Sequence, residues 1–167
     1  MGPLDLTLHG DDYVRLREMI DALRKDASAR LVFLLDRNGQ PIANCGDLGD
    51  TDPTALASLA AGNVAATEGV AQLIGERSFS SLYHEGERDS LHMTAVGGRM
   101  ILIVVFDERS SLGLVRLRVR LATPALEDVV EQVERRSADD SGDGVDFSDI
   151  SDDEISALLE GRTMARS

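Results

Sequence analysis

"RLVFLLDRNGQPIA", Arg30 to Ala43, decides the fold. Its first half is an unbroken apolar run from Leu31 to Leu35, too short for a typical helix and read as a strand. Asn38-Gly39 follows, and then a second short run around Ile42. Asn-Gly between two apolar segments is a strong hairpin signal, because a two-residue turn of the favoured hand needs φ > 0 at both central positions. Arg30–Asp36 and the segment around Ile42 are therefore expected to pair as antiparallel strands.

Upstream, "DDYVRLREMIDALRKDA" sets Tyr13 or Val14, Leu16, Ile20 and Leu23 on one face with charge opposite, the pattern of an amphipathic helix. Downstream, "DPTALASLAAGNVAATEGVAQLIGE" opens with Asp52 as an N-cap and Pro53 at the first helical position, and closes near Gly75. Three more runs, "SFSSLYH", "DSLHMTAV" and "RMILIVVF", read as a meander, with Gly97-Gly98 as the last reversal. "SSLGLVRLRVRL" has two readings. Arg116, Arg118 and Arg120 alternate with Leu117, Val119 and Leu121 as in a strand, the reading the pattern favours, while Leu112, Val115, Val119 and Ala122 fit a helical stripe. Beyond Pro124, which breaks or kinks what precedes it, "LEDVVEQVERR" is helical, with Leu126, Val129, Val130 and Val133 on one side. The expected order is α-β-β-α-β-β-β-α, an α+β fold with one central antiparallel five-stranded sheet and helices packed on it.

Of the 167 residues, 43% are hydrophobic, enough for one domain and an appendage. The formal charge of −13 is uneven: Ser137 to Ser167 holds nine acidic residues against two basic. Lys25 is the only lysine, so the chain lacks the clustered cations that nucleic acid demands, and a basic protein surface suits the tail better. Residues 11–136 are read as the domain, 137–149 as a flexible acidic linker and 150–161 as a partner-binding helix. In that last segment Ser151 and Glu154 form a capping box, Ile155, Leu158 and Leu159 share a face, and Phe147 and Ile150 lead in. Such a short helix is unstable alone but suits a groove, through apolar anchors at i, i+3 and i+4. The opening residues carry neither a basic patch nor a long apolar run, and a cytoplasmic protein is expected.

Catalytic equipment is hard to find. Lys25 precedes Asp26, so no phosphate loop ends there, and "GDGV" lacks the rest of a dinucleotide fingerprint. His84-Glu85 begins a zinc-protease motif, but Arg88 stands where the second histidine belongs. His9, His84 and His92 are scattered, and Cys45, the single cysteine, reads as a structural thiol, so no metal or cofactor is expected. Ser80, Ser81, Ser110 and Ser111 sit in no glycine-flanked elbow. A small-molecule sensor would need a polar pocket that the sequence does not display.

The long middle helix is more telling. Ala57, Ala61, Ala65 and Gly69, four residues apart, suggest a smooth flank for close approach of another backbone, while Leu56, Leu59, Val70 and Leu73 are expected to cover the sheet. Its glycines cost about 1 kcal/mol each relative to alanine, which argues that packing requires them.

The same element order, with "VFLLDRNGQPIA", "LASLAAGNVAA", "LIGERSF", "HEGERDSLHM" and "SLGLVRLRVR", resembles the roadblock family over about Asp12 to Arg136, and the tail resembles that of certain bacterial members. The resemblance implies a homodimer in which the middle helix and third strand meet their copies, through Leu56, Ala57, Leu59, Ala60, Phe79 and Leu82. It implies a small Ras-like GTPase of the MglA type as partner, bound at Ala61, Ala65, Glu68 and Gly69. Hydrolysis would be accelerated by reshaping the partner's switch regions without lending an arginine, in the service of cell polarity or gliding motility, with enrichment at a cell pole. The tail, through Phe147, Ile150, Ile155, Leu158 and Leu159, would dock elsewhere on the GTPase. A dimeric scaffold that recruits the GTPase without activating it is the alternative. The resemblance also favours helix for "SSLGLVRLRVR", and the chain departs from the family at Pro124.

Overall fold

The structure, a computed structural model, describes residues 8–142, with side chains to Asp139. Helix α1 (Gly10–Asp26) leads into β1 (Leu31–Asp36) and β2 (Pro41–Gly46), and α2 (Pro53–Leu73) follows. Strands β3 (Ser81–Glu85), β4 (Ser90–Val96) and β5 (Met100–Phe106) precede α3 (Leu112–Gly142). All neighbouring strands are antiparallel, in the order β2-β1-β5-β4-β3. The expected element order and five-stranded sheet are those observed.

Strand alternation divides the core in two. Leu31, Phe33 and Leu35 of β1 join Ile101, Ile103 and Val105 of β5 beneath α2. Val32 and Leu34 join Leu102, Val104 and Phe106 on the opposite face, beneath α1 and α3. The unbroken apolar runs of β1 and β5 thus follow from their central place, since both faces are covered.

The Asn-Gly turn differs from expectation. Only Gly39 has positive φ, at +86°, because the loop runs from Arg37 to Gln40 as a type I turn closed by glycine. The amides of Asn38 and Gln40 donate to Asp36 Oδ1 at 2.9 and 2.8 Å, and Gly39 N–H donates to Asp36 O at 3.1 Å. Gly97 and Gly98, by contrast, both take positive φ between β4 and β5.

Tyr13 and Val14 do not face the core; they are 40% and 53% exposed, and the buried position one turn before Leu16 belongs to Asp12. The ambiguous segment is helix, with Val115 and Val119 buried against the sheet. The alternation of arginine and leucine there coincides with a helical stripe, and the partner strand it would have needed is absent from the sheet order. Pro124 lies within α3 and removes one N–H donor, and α3 continues past it. The first compact unit ends at Arg135, yet α3 runs to Gly142, so residues 137–142 are helical where linker was expected. Serine, alanine and aspartate tolerate elongation once a helix is nucleated.

Candidate functional interface

Asp52 caps α2 by accepting from Thr54 N–H at 3.0 Å, Pro53 occupies the first turn, and Gly75 at φ +80° lies past the last. Between these ends the helix is apolar on opposite sides. The side toward the sheet is mostly alanine, Ala57, Ala60 and Ala71 being buried, with Leu56, Ala61 and Val64 half-buried at its margins. The side toward solvent carries the large ones: Leu59 is 74% exposed, Val70 51% and Leu73 87%, with Ile74 beyond them at 64%. Leu59, Val70 and Leu73 fall at i, i+11 and i+14, which returns each to nearly the same bearing at about 100° per residue.

The sequence reading of these faces is therefore corrected. Leu59, Val70 and Leu73 do not cover the sheet, because alanines occupy the positions nearest it; of the four, only Leu56 packs against the core. The four-residue series also does not form one straight flank. Each step of four advances about 400°, so three steps drift about 120° around the axis. Accordingly Ala57 is buried, Ala61 half-buried, and Ala65 and Gly69 exposed. At the buried end the small side chains have an internal purpose: a Cβ on Gly39 would lie 3.2 Å from Ser58 Cα and 3.5 Å from Ala61 Cβ, so the β1–β2 turn rests directly on α2. At the exposed end there is none. A Cβ added at Gly62 or Gly69 would meet nothing within 4 Å.

Glu68 sits beside this surface, paired with Arg37 Nη2. Arg37 also donates from Nη1 to Gly98 O at 3.3 Å and from its amide to Arg99 O at 3.1 Å, tying both hairpin turns to α2. Phe79, Leu82 and Glu68 line a common cleft of about 200 Å³ between α2 and β3. β3 is an edge strand without proline or lysine, the usual guards of such an edge.

Residues 16–106, more than half of the chain, match the Roadblock/LC7 domain. The chain belongs to that family. Among solved structures, MglB of Myxococcus xanthus is 48% identical over 76% of this roadblock chain and 96% of its own, with a TM-score of 0.72. The gliding protein MglB of Thermus thermophilus is 36% identical over 79% and 99%, TM-score 0.72. A further MglB structure, described with a tetrameric arrangement, is 34% identical over 80% and 99%, TM-score 0.73. No match is found among curated proteins.

On this roadblock fold the predicted residues separate. Ala65, Glu68 and Gly69 share the outer flank of α2, and Leu59 and Phe79 are exposed nearby. Ala57 and Ala60 are enclosed by the protomer's own core, and Leu56, Ala61 and Leu82 are half-buried against it. Phe147, Ile150, Ile155, Leu158 and Leu159 lie outside the described residues. Sequence reasoning missed Arg37, and it misplaced Val70 and Leu73. Two apolar bearings on one helix, one of small residues and one of large, were the available signal. Among the described residues no cluster of His, Cys, Asp and Glu could hold a metal, and no helix is long and apolar enough to cross a membrane.

Proposed function

We propose that this roadblock protein is a homodimeric GTPase-activating regulator of a small Ras-like GTPase of the MglA type. The exposed apolar side of α2 carries the reading: leucines at 74% and 87% exposure flank glycines that their own fold leaves in open space. A helix apolar on opposite sides calls for a covering partner on each. The protomer supplies one, and the other is divided between a second copy and the GTPase. The dimer forms through the β3 edge with Phe79, Leu82 and Leu59, and the GTPase rests on Ala61, Ala65, Glu68 and Gly69, where small side chains permit close contact. The chain has no catalytic site of its own and lends no arginine; it holds the GTPase switch regions in a hydrolysing arrangement. Its tail anchors, Phe147 to Leu159, make a second contact with the GTPase. Likeness to MglB proteins supports a setting in cell polarity or gliding motility, with enrichment at a pole.

GTP turnover by the cognate GTPase, with and without the full chain, tests this. The wild type is expected to raise turnover, and Ala65→Arg with Gly69→Arg to abolish the increase while circular dichroism stays native. Unchanged turnover in the presence of demonstrated binding rejects activation in favour of a scaffold, and a fully active double variant rejects the assigned surface.

A further inference from the structure

The sheet face opposite α2 carries a second cleft, about 540 Å³, between β4 and α3. Leu91 and Met93 of β4 turn toward α2, so His92 and Thr94 fall on this side. Across from them stand Arg116 and Arg120, one helical turn apart on α3, with Ser81 at the rim.

His92 is 3% exposed, and its Nδ1 has no hydrogen-bond partner. An orphan nitrogen so deeply buried is unfavourable unless something else satisfies it. The neighbouring hydroxyls do not. Thr94 Oγ1 donates to Ser80 O at 2.9 Å, and Thr123 Oγ1 donates to Val119 O at 2.7 Å, so both protons are engaged. What remains on offer is two guanidiniums, the Ser81 hydroxyl and the imidazole. No carboxylate lines the cleft, although the chain carries a net charge of −13. Arg37, Arg99 and Arg109 are each matched to an acid, whereas neither Arg116 nor Arg120 has an ion pair among the described residues. Burial and the Arg116 charge hold His92 below the usual imidazole range, so the imidazole adds no third positive charge near pH 7.

We propose that this cleft binds a small molecule bearing a phosphomonoester, its phosphate gripped by Arg116 and Arg120 against the His92 imidazole. Two guanidiniums match a dianion in charge and fork geometry, where a lone carboxylate would leave one cation uncompensated. The volume lies within the roughly 300–1,000 Å³ of small-ligand sites and leaves space for an organic body along Ser81 and Thr94. None of these residues lies on the surface assigned to the GTPase, so GTPase activation and this site fail separately, although Ser81 at the rim belongs to β3, the strand assigned to the dimer.

Imidazole NMR on the full chain, titrated at fixed pH and ionic strength with inorganic phosphate, phenyl phosphate and acetate, is the test. Both phosphates are expected to shift the His92 resonances saturably while His9 and His84 stay still, with phenyl phosphate the tighter. Arg116→Gln with Arg120→Gln should weaken binding about tenfold for each guanidinium lost. Should that variant fail to fold, His92→Gln serves instead, read by calorimetry, with about a tenfold loss expected. A motionless His92, or equal response to acetate, overturns the site. Inorganic phosphate binding as tightly as the ester overturns the claim that the cleft accepts an organic body.

Discussion

Truncating Leu59 and Leu73 to alanine separates self-association from folding. Leu59 is 74% and Leu73 87% exposed, so neither contributes much packing to the isolated protomer. Fully burying a leucine is worth about 2 kcal/mol, so covering the exposed fractions would bring about 1.5 and about 1.7 kcal/mol. In a symmetric dimer each substitution counts twice, and the sum is about 6 kcal/mol, equivalent to a rise of about twenty-thousandfold in the dimer dissociation constant. That is an upper figure, because both side chains must lie fully within the interface. Sedimentation equilibrium over a dilution series reads the constant directly, and urea unfolding at protein concentrations below it reads the protomer. The double variant is expected to be monomeric across the micromolar range, with protomer stability within about 0.5 kcal/mol of wild type. A dissociation constant changed by less than tenfold would show that this side of α2 is not where copies meet. An equal loss of protomer stability would show that the leucines are internal after all.

Gly39→Ala should destabilise the protomer more than Gly98→Ala. Both residues have positive φ, worth about 1–2 kcal/mol to an alanine, but only at Gly39 would the new methyl also press on α2, adding about 1 kcal/mol in urea unfolding. Equal losses would mean that the turn does not bear on the helix. His92 makes stability depend on pH with a definite sign. Its folded value lies below the unfolded one of about 6.5, so the unfolded chain binds more protons, and stability is complete above that value and declines as pH falls through it. Thermal melts between pH 5 and 8 should show this slope flattened in His92→Gln, and an undiminished slope would assign it to other groups.

The sheet was legible in the sequence because its central strands are continuous apolar runs, a pattern that their burial on both faces enforces. Other features were not, for reasons that are local. Asn38-Gly39 marks a reversal, but whether one or both residues adopt positive φ depends on the Asp36 carboxylate that closes the loop. Arg116 to Leu121 satisfies two periodicities at once, and only the placement of Val115 and Val119 on the sheet selects between them. On α2, hydrophobicity by itself assigns Leu59 and Leu73 to the inside, whereas the distance between helix and sheet is set by alanines and by the turn at Gly39. The second cleft was invisible because His92, Arg116 and Arg120 are distant in sequence and meet only through the β4–α3 packing.

The open rim at β3 has a consequence for the life of the newly made chain. From Ser81 to Glu85 a row of amides and carbonyls waits for a mate, beside Phe79 at 40% exposure, and an extended segment of almost any sequence can satisfy it. A chain with this edge uncovered is thus an indiscriminate template, most liable to clump just after release from the ribosome.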